Sequence, residues 1–191
     1  MTMLTRTRIA HVAATAALLS ILSAPVQFAG CMHPGEIATD ASAPQWVTPA
    51  VRAPGVEQIA FESASAGTPV SYHIFLPEAY HTEPGRRFPV LYYLHGTAGG
   101  LAGISRVAGH YGRAMQAGLI PPMLIVFPNG LSHSMWVDAR DGSVPMETVV
   151  VRELVPHIDT AYRTHARPEG RIVEGFSMGG YGAGRFGRLC R

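Results

Sequence analysis

Gly175, Phe176, Ser177, Met178 and Gly179 have the types and the spacing for covalent chemistry, a G-x-S-x-G string. A serine hydroxyl becomes a useful nucleophile when its oxygen is held exposed and fixed. The string follows Arg171-Ile172-Val173-Glu174, which reads as a short strand, and precedes Gly180 and a helix-like start. Strand, tight turn and helix form the setting of a nucleophile elbow. Such a turn strains the serine and brings neighbouring backbones so close that Gly175 and Gly179 are both required as glycine.

The second chemical element is His95-Gly96-Thr97-Ala98-Gly99-Gly100, directly after an apolar run. Acyl transfer puts negative charge on a carbonyl oxygen, and two preorganised backbone N–H groups can receive it. Met178, next to the serine and at a helix N-terminus, would give one. The 96–98 turn would give the other, at Thr97. His95 reads as a structural residue that, with Gly96, fixes this loop; its place at a strand end on the donor loop argues against a proton shuttle. Taken on residues alone, two alternatives stay open. They are a glycine-rich strand end with an incidental serine, and a plain turn at 95–100.

The elements that must position these groups follow from periodicity. Gln58–Glu62 and the alternating Val70, Tyr72, Ile74 and Leu76 predict two strands paired as a hairpin across residues 63–67. Residues 78–87 read as a polar loop. Pro89-Val90-Leu91-Tyr92-Tyr93-Leu94 and Met123-Leu124-Ile125-Val126-Phe127 are continuous apolar runs, the pattern of parallel strands buried on both faces. Residues 105–117 predict a helix ending near Gly118. Residues 145–164 predict another, with Val151, Leu154, Val155, Ile158 and Tyr162 at helical spacing and Pro156 kinking or splitting it. Strands alternating with helices imply an α/β fold, a mostly parallel sheet with flanking helices.

The 191 residues allow one domain and little more. At 47% hydrophobic and 15% charged, the chain is no disordered tail. Two cysteines exclude a disulfide-built miniprotein. A net charge of +2 without a basic cluster gives no electrostatic footprint for nucleic acid. All 15 basic residues are arginine, a compositional bias. Arg6 and Arg8, an apolar stretch from Ile9 to Leu22, and small residues with Pro25 predict a secretory signal over 1–30. Phe28-Ala29-Gly30-Cys31 resembles a bacterial lipobox, which would make Cys31 a lipid anchor at a membrane surface. Ordinary cleavage nearby, or a disulfide with Cys190, are the alternatives. Residues 31–56, rich in Ala and Pro, read as a linker, so the folding part is expected over 57–191.

Several segments in order resemble one family. They are Phe75-Leu76-Pro77 with Tyr80, Phe88 through Gly96, Ile120-Pro121-Pro122-Met123, Phe127-Pro128-Asn129-Gly130, Trp136, Glu153-Leu154-Val155-Pro156 and Gly175 through Gly182. From about residue 68 to 182 the chain resembles the esterase D-like esterases of the α/β-hydrolase superfamily. That group includes feruloyl and acetyl xylan esterases, S-formylglutathione hydrolases and mycolyltransferases. The resemblance implies Ser177 as acyl nucleophile, Thr97 and Met178 amides as oxyanion donors, and no cofactor or metal.

The hydrolase order is Ser, then acid, then His. The 14 residues after Ser177 contain no His, Asp or Glu. His110 and His133, with Asp138 near the latter, are upstream candidates; triads occur in other orders, but this fold offers no ready path for them. Gly184, Arg185, Gly187, Arg188, Cys190 and Arg191 make a poor continuation of a buried helix. The expectation is therefore the N-terminal part of the fold, with C-terminal strands and helices missing and an uncovered sheet edge. The function expected by ancestry is an exported serine carboxylic-ester hydrolase acting on a small-molecule or polysaccharide-linked ester. An exported or lipid-anchored non-catalytic module, and an acyltransferase using the same serine, are the alternatives.

Overall fold

The computed structural model of the chain describes residues 43–189. The expected signal segment, the lipobox Cys31, the first part of the expected linker and Cys190 lie outside the described residues.

Strands β1 (Val56–Ser63) and β2 (Thr68–Phe75) form the expected antiparallel hairpin, with Val56 opposite Phe75 and Ser63 opposite Thr68. Strands β3 (Val90–Leu94), β4 (Leu124–Pro128) and β5 (Arg171–Gly175) complete a five-stranded sheet of order β1-β2-β4-β3-β5. β2 meets β4 antiparallel, whereas β4, β3 and β5 run parallel. The sheet is thus mixed, parallel in the half that matters for Ser177. The apolar runs reflect burial on both faces. Val90, Tyr92, Leu94, Leu124 and Val126 enter one core with Val70, Tyr72 and Ile74. Leu91, Ile125 and Phe127 enter the other with Phe75.

Helix α1 (Glu78–Thr82) occupies part of the expected polar loop. Helix α2 (Leu101–Gln116) covers the second face through Ile104, Ala108 and Met115. It starts four residues earlier than the apolar spacing predicts. Gly118, at φ 68°, ends it: Leu119 N–H bonds Ala114 O at 2.9 Å and Gly118 N–H bonds Met115 O at 3.0 Å. Those two bonds make a Schellman motif, which needs a residue tolerant of the left-handed region.

The expected long helix is split. A short turn α3 (Met146–Thr148) leads into a π-helical stretch, Val149–Leu154, and then α4 (Val155–Ala161). Pro156 sits in the first turn of α4. Proline has no N–H to give the preceding turn and its ring clashes with the carbonyl four residues back. The backbone widens before it, and Val155 N–H reaches Val150 O instead. Val149, Val150, Leu154, Val155 and Ile158 still fall on the buried side and cover the first face.

Two boundaries need correction. Residues 43–55, expected as linker, belong to the packed unit. Trp46 is buried, and Thr48 N–H donates to Ser71 Oγ at 2.9 Å and Val51 N–H to His73 Nε2 at 3.2 Å. Ser71 and His73 point from β2 to the side that this segment covers, so their polar atoms are satisfied inside the fold. At the other end, residues expected to continue a helix poorly do form one. Helix α5 (Met178–Leu189) runs through Gly184 and Gly187, whose Cβ positions meet nothing within 4 Å. Phe186 holds it, buried against Trp136 with ring centroids 6.3 Å apart.

Candidate functional site

β3, β4 and β5 run parallel, so their C-terminal ends open on one side of the sheet and their following loops meet there. Ser177 lies in the turn between β5 and α5, exposed, at φ 53°. The turn is pinned from below by Phe176 N–H on Leu94 O, 3.1 Å. It rolls directly into the helix, with Gly180 N–H on Ser177 O at 2.8 Å and Tyr181 N–H on the same carbonyl at 3.2 Å. The flanking glycines are needed for space. A Cβ at Gly179 would sit 1.9 Å from Leu94 O, and one at Gly175 would sit 2.2 Å from Gly179 C. Both clashes are with backbone, which cannot swing aside.

The 95–100 loop abuts the serine. The Cβ position of Gly96 lies 3.3 Å from Ser177 Cβ and 3.2 Å from the Phe176 ring. Among the described residues, neither the Thr97 N–H nor the Met178 N–H has a backbone or side-chain acceptor. Thr97 is exposed, and Met178 opens α5, where the helix dipole favours negative charge. His95 is held through both ring nitrogens. Nδ1 lies 2.7 Å from Gly96 O, and Gly130 N–H points at Nε2 from 3.0 Å. Burial pushes its pKa below the usual histidine range, with the Gly96 carbonyl opposing that shift.

A third loop, 129–137, was not among the expected site residues. Trp136 anchors it: fully buried, its indole N–H donates to His95 O at 3.2 Å and its ring meets the imidazole at 5.1 Å. Gly130 and Gly182 leave room for that ring, since a Cβ at either would fall 2.4 and 2.7 Å from it. Ala98 N–H reaches across to Ser132 O at 3.0 Å. Among the described residues, the non-glycine positions with left-handed φ are Ala98, Leu131, Met135, Trp136 and Ser177. Every one lies in these three loops. Strained backbone of this kind persists where the surrounding structure over-determines it, and it concentrates at functional sites. Glycines 130 and 182 were the available sequence signal for Trp136; nothing in the types Leu131 and Met135 announces a left-handed turn.

The upstream histidines do not join this cluster. Asp138 accepts Thr148 N–H at 3.0 Å and the Thr148 hydroxyl at 2.6 Å, so it caps the helix rather than orienting His133. His110 lies on α2 beside Tyr111, whose hydroxyl donates to Glu174, one residue before the elbow glycine. Among the described residues, no histidine hydrogen-bonds Ser177, and no group of three His, Cys, Asp or Glu side chains is placed to hold a metal ion.

The Putative esterase family matches residues 63–183, a span that holds every element from the end of β1 to the first turns of α5. The chain belongs to this esterase family. An esterase of Mycobacterium tuberculosis (strain H37Rv) is 38% identical over 128 residues, which cover 64% of this chain and 27% of that protein. An endo-1,4-beta-xylanase/feruloyl esterase of Xylanibacter ruminicola is 32% identical over 138 residues, covering 65% of this chain and 18% of the other. This esterase-family chain thus spans a minor part of the length of these relatives. Among solved structures, a ferulic acid esterase superposes with a TM-score of 0.64 at 28% identity, over 70% of this chain and 55% of the other. An S-formylglutathione hydrolase from Agrobacterium tumefaciens shares the fold, with a TM-score of 0.54 at 19% identity over 67% of this chain and 50% of its own.

Proposed function

We propose that this chain carries the acyl-accepting half of a serine carboxylic-ester hydrolase. Ser177 Oγ attacks the ester carbonyl, the oxygen of the tetrahedral intermediate sits between the Thr97 and Met178 amides, and the alcohol leaves as the C–O bond breaks. The observation that carries this reading is the exposed, left-handed Ser177 abutting Gly96, with the neighbouring Thr97 and Met178 amides given to no protein acceptor among the described residues. Family membership supports it.

The reaction needs a base to take the Oγ proton and deliver it to the leaving alcohol. Among the described residues no histidine hydrogen-bonds Ser177, and His95 has both nitrogens committed. With no such base on Ser177, solvent water must carry the Oγ proton to the leaving alcohol, so acylation and deacylation are both expected to be slow. Removing one member of a serine triad still leaves roughly 10³–10⁴-fold over water, from binding and the oxyanion hole.

For substrate, we favour an aromatic acyl ester on a polysaccharide, met outside the cytoplasm. The names of the similar xylanase/feruloyl esterase and ferulic acid esterase point that way. So do the exposed rings of Phe176, beside the serine, and Tyr181 on the first turn of α5. The charge–apolar–small order of residues 1–30 supports export. The test is a stopped assay with p-nitrophenyl acetate and methyl ferulate. Slow product release, with a covalent acyl adduct on Ser177 and both absent in Ser177→Ala, supports the reading. Steady turnover at ordinary enzyme rates, of order 1–10³ per second, would show that another base serves Ser177.

A further inference from the structure

We propose that His95 is a positioning residue that aims the Thr97 amide. The proposal rests on the acyl-transfer reading above and assigns His95 a part in it. The Gly96 carbonyl and the Thr97 N–H are the two ends of one peptide plane. No peptide bond among the described residues is cis, so the two groups point in opposite directions. Fixing the carbonyl fixes where the N–H points. His95 Nδ1 lies 2.7 Å from that carbonyl oxygen.

The tautomer follows from the other nitrogen. Gly130 N–H is a donor 3.0 Å from Nε2, so Nε2 must keep its lone pair and the proton sits on Nδ1. A run of polar groups results: Gly130 N–H to the imidazole, the imidazole to the Gly96 carbonyl, and the far end of that amide to the ester oxygen. Each bond polarises the next in the same sense, which strengthens the last donor.

The ring is also held sterically. A Cβ at Gly100 would lie 2.6 Å from the imidazole, and one at Gly130 would lie 2.9 Å from Nε2. The indole of Trp136 closes a further side, and its N–H takes the His95 carbonyl, which fixes the preceding peptide too. The β4 loop therefore sets the tautomer, and the tautomer sets the donor. A purely structural role would make the Gly130 bond the essential one, as a tie between two loops.

Two substitutions separate these roles. In His95→Asn the side-chain amide N–H stands at the place of Nδ1 and can still hold the Gly96 carbonyl. In His95→Gln the side-chain carbonyl stands at the place of Nε2 and can still accept from Gly130. The readout is the rate constant for phosphonylation of Ser177 by an alkyl fluorophosphonate, alongside the melting temperature of each variant. His95→Ala and His95→Gln are expected to lose about 10²-fold in rate, the scale of a lost oxyanion donor. His95→Asn is expected to recover most of that loss even though its Tm is no higher than that of His95→Gln. Recovery by Gln and not by Asn overturns the proposal.

A second measurement needs no variant. ¹⁵N NMR of the wild-type imidazole should show Nδ1 protonated and Nε2 bare; an Nε2–H tautomer overturns the proposal whatever the labelling rate. A wild-type chain with the Nδ1–H tautomer that leaves Ser177 unlabelled contradicts the acyl-transfer reading instead, and the assigned role falls with it.

Discussion

Ser177 holds a left-handed φ of 53°, a conformation that costs an L residue roughly 1–2 kcal/mol. Ser177→Gly should therefore raise stability by about 1 kcal/mol while removing the proposed nucleophile, a gain of roughly 2–4 °C in Tm for a unit of this size. Thermal denaturation followed by circular dichroism checks it; an unchanged or lower Tm would show that the turn is unstrained. Gly179→Ala goes the other way, because its methyl would meet the Leu94 carbonyl. A loss of about 1–3 kcal/mol or more in urea denaturation is expected, with loss of Ser177 labelling. The turn was legible in the sequence because close backbone approach maps onto one residue type, glycine, at 175 and 179. Leu131, Met135 and Trp136 were not legible as site residues. Their left-handed backbone is imposed by the burial of Trp136 between Gly130 and Gly182, a tertiary constraint that their own side-chain types do not reveal.

At the scale of elements, three loops at the ends of parallel strands are tied together by few bonds, and Trp136 supplies several of the contacts. Trp136→Phe keeps most of the ring but removes the N–H that holds the His95 carbonyl. Loss of that single bond should cost roughly 0.5–1.5 kcal/mol in denaturant unfolding, with a larger effect on labelling rate than on Tm. Equal, proportionate losses in both would mean that Trp136 acts through packing alone. The strands were readable from periodicity, and the split at Pro156 followed from its missing N–H, whereas α1 carries no apolar spacing that announces it and α2 begins four residues before its predicted start. The segment 43–55 packs against the sheet although its three alanines and three prolines resemble a tether. The usable signal lay elsewhere, in Ser71 and His73: polar side chains within an otherwise apolar strand need partners, and this segment provides them.

For the molecule as a whole, three histidines are shifted by burial in the same direction. His73, His95 and His157 all have pKa values below the ordinary histidine range. In the unfolded chain they take up protons near pH 6.5, while the folded state resists protonation. The unfolded state then binds more protons, so stability falls as pH drops through about 6.5 and is kept above it. Tm measured at pH 5.5 should lie below that at pH 7.5, and His157→Gln should reduce the difference; a flat profile would contradict it. β5 has only β3 as a neighbour among the described residues, and Ile172 on it is 44% exposed. An unpaired apolar edge promotes association, so Ile172→Lys should raise the monomer fraction in sedimentation at high concentration. The proposed acyl acceptor, Ser177, is held where the ends of three parallel strands meet. The most direct test of that role is intact-mass and peptide analysis of the chain after exposure to a fluorophosphonate. One adduct, mapped to Ser177 and missing in Ser177→Ala, is expected; an unmodified Ser177, or an adduct elsewhere, would rule out Ser177 as the acyl acceptor.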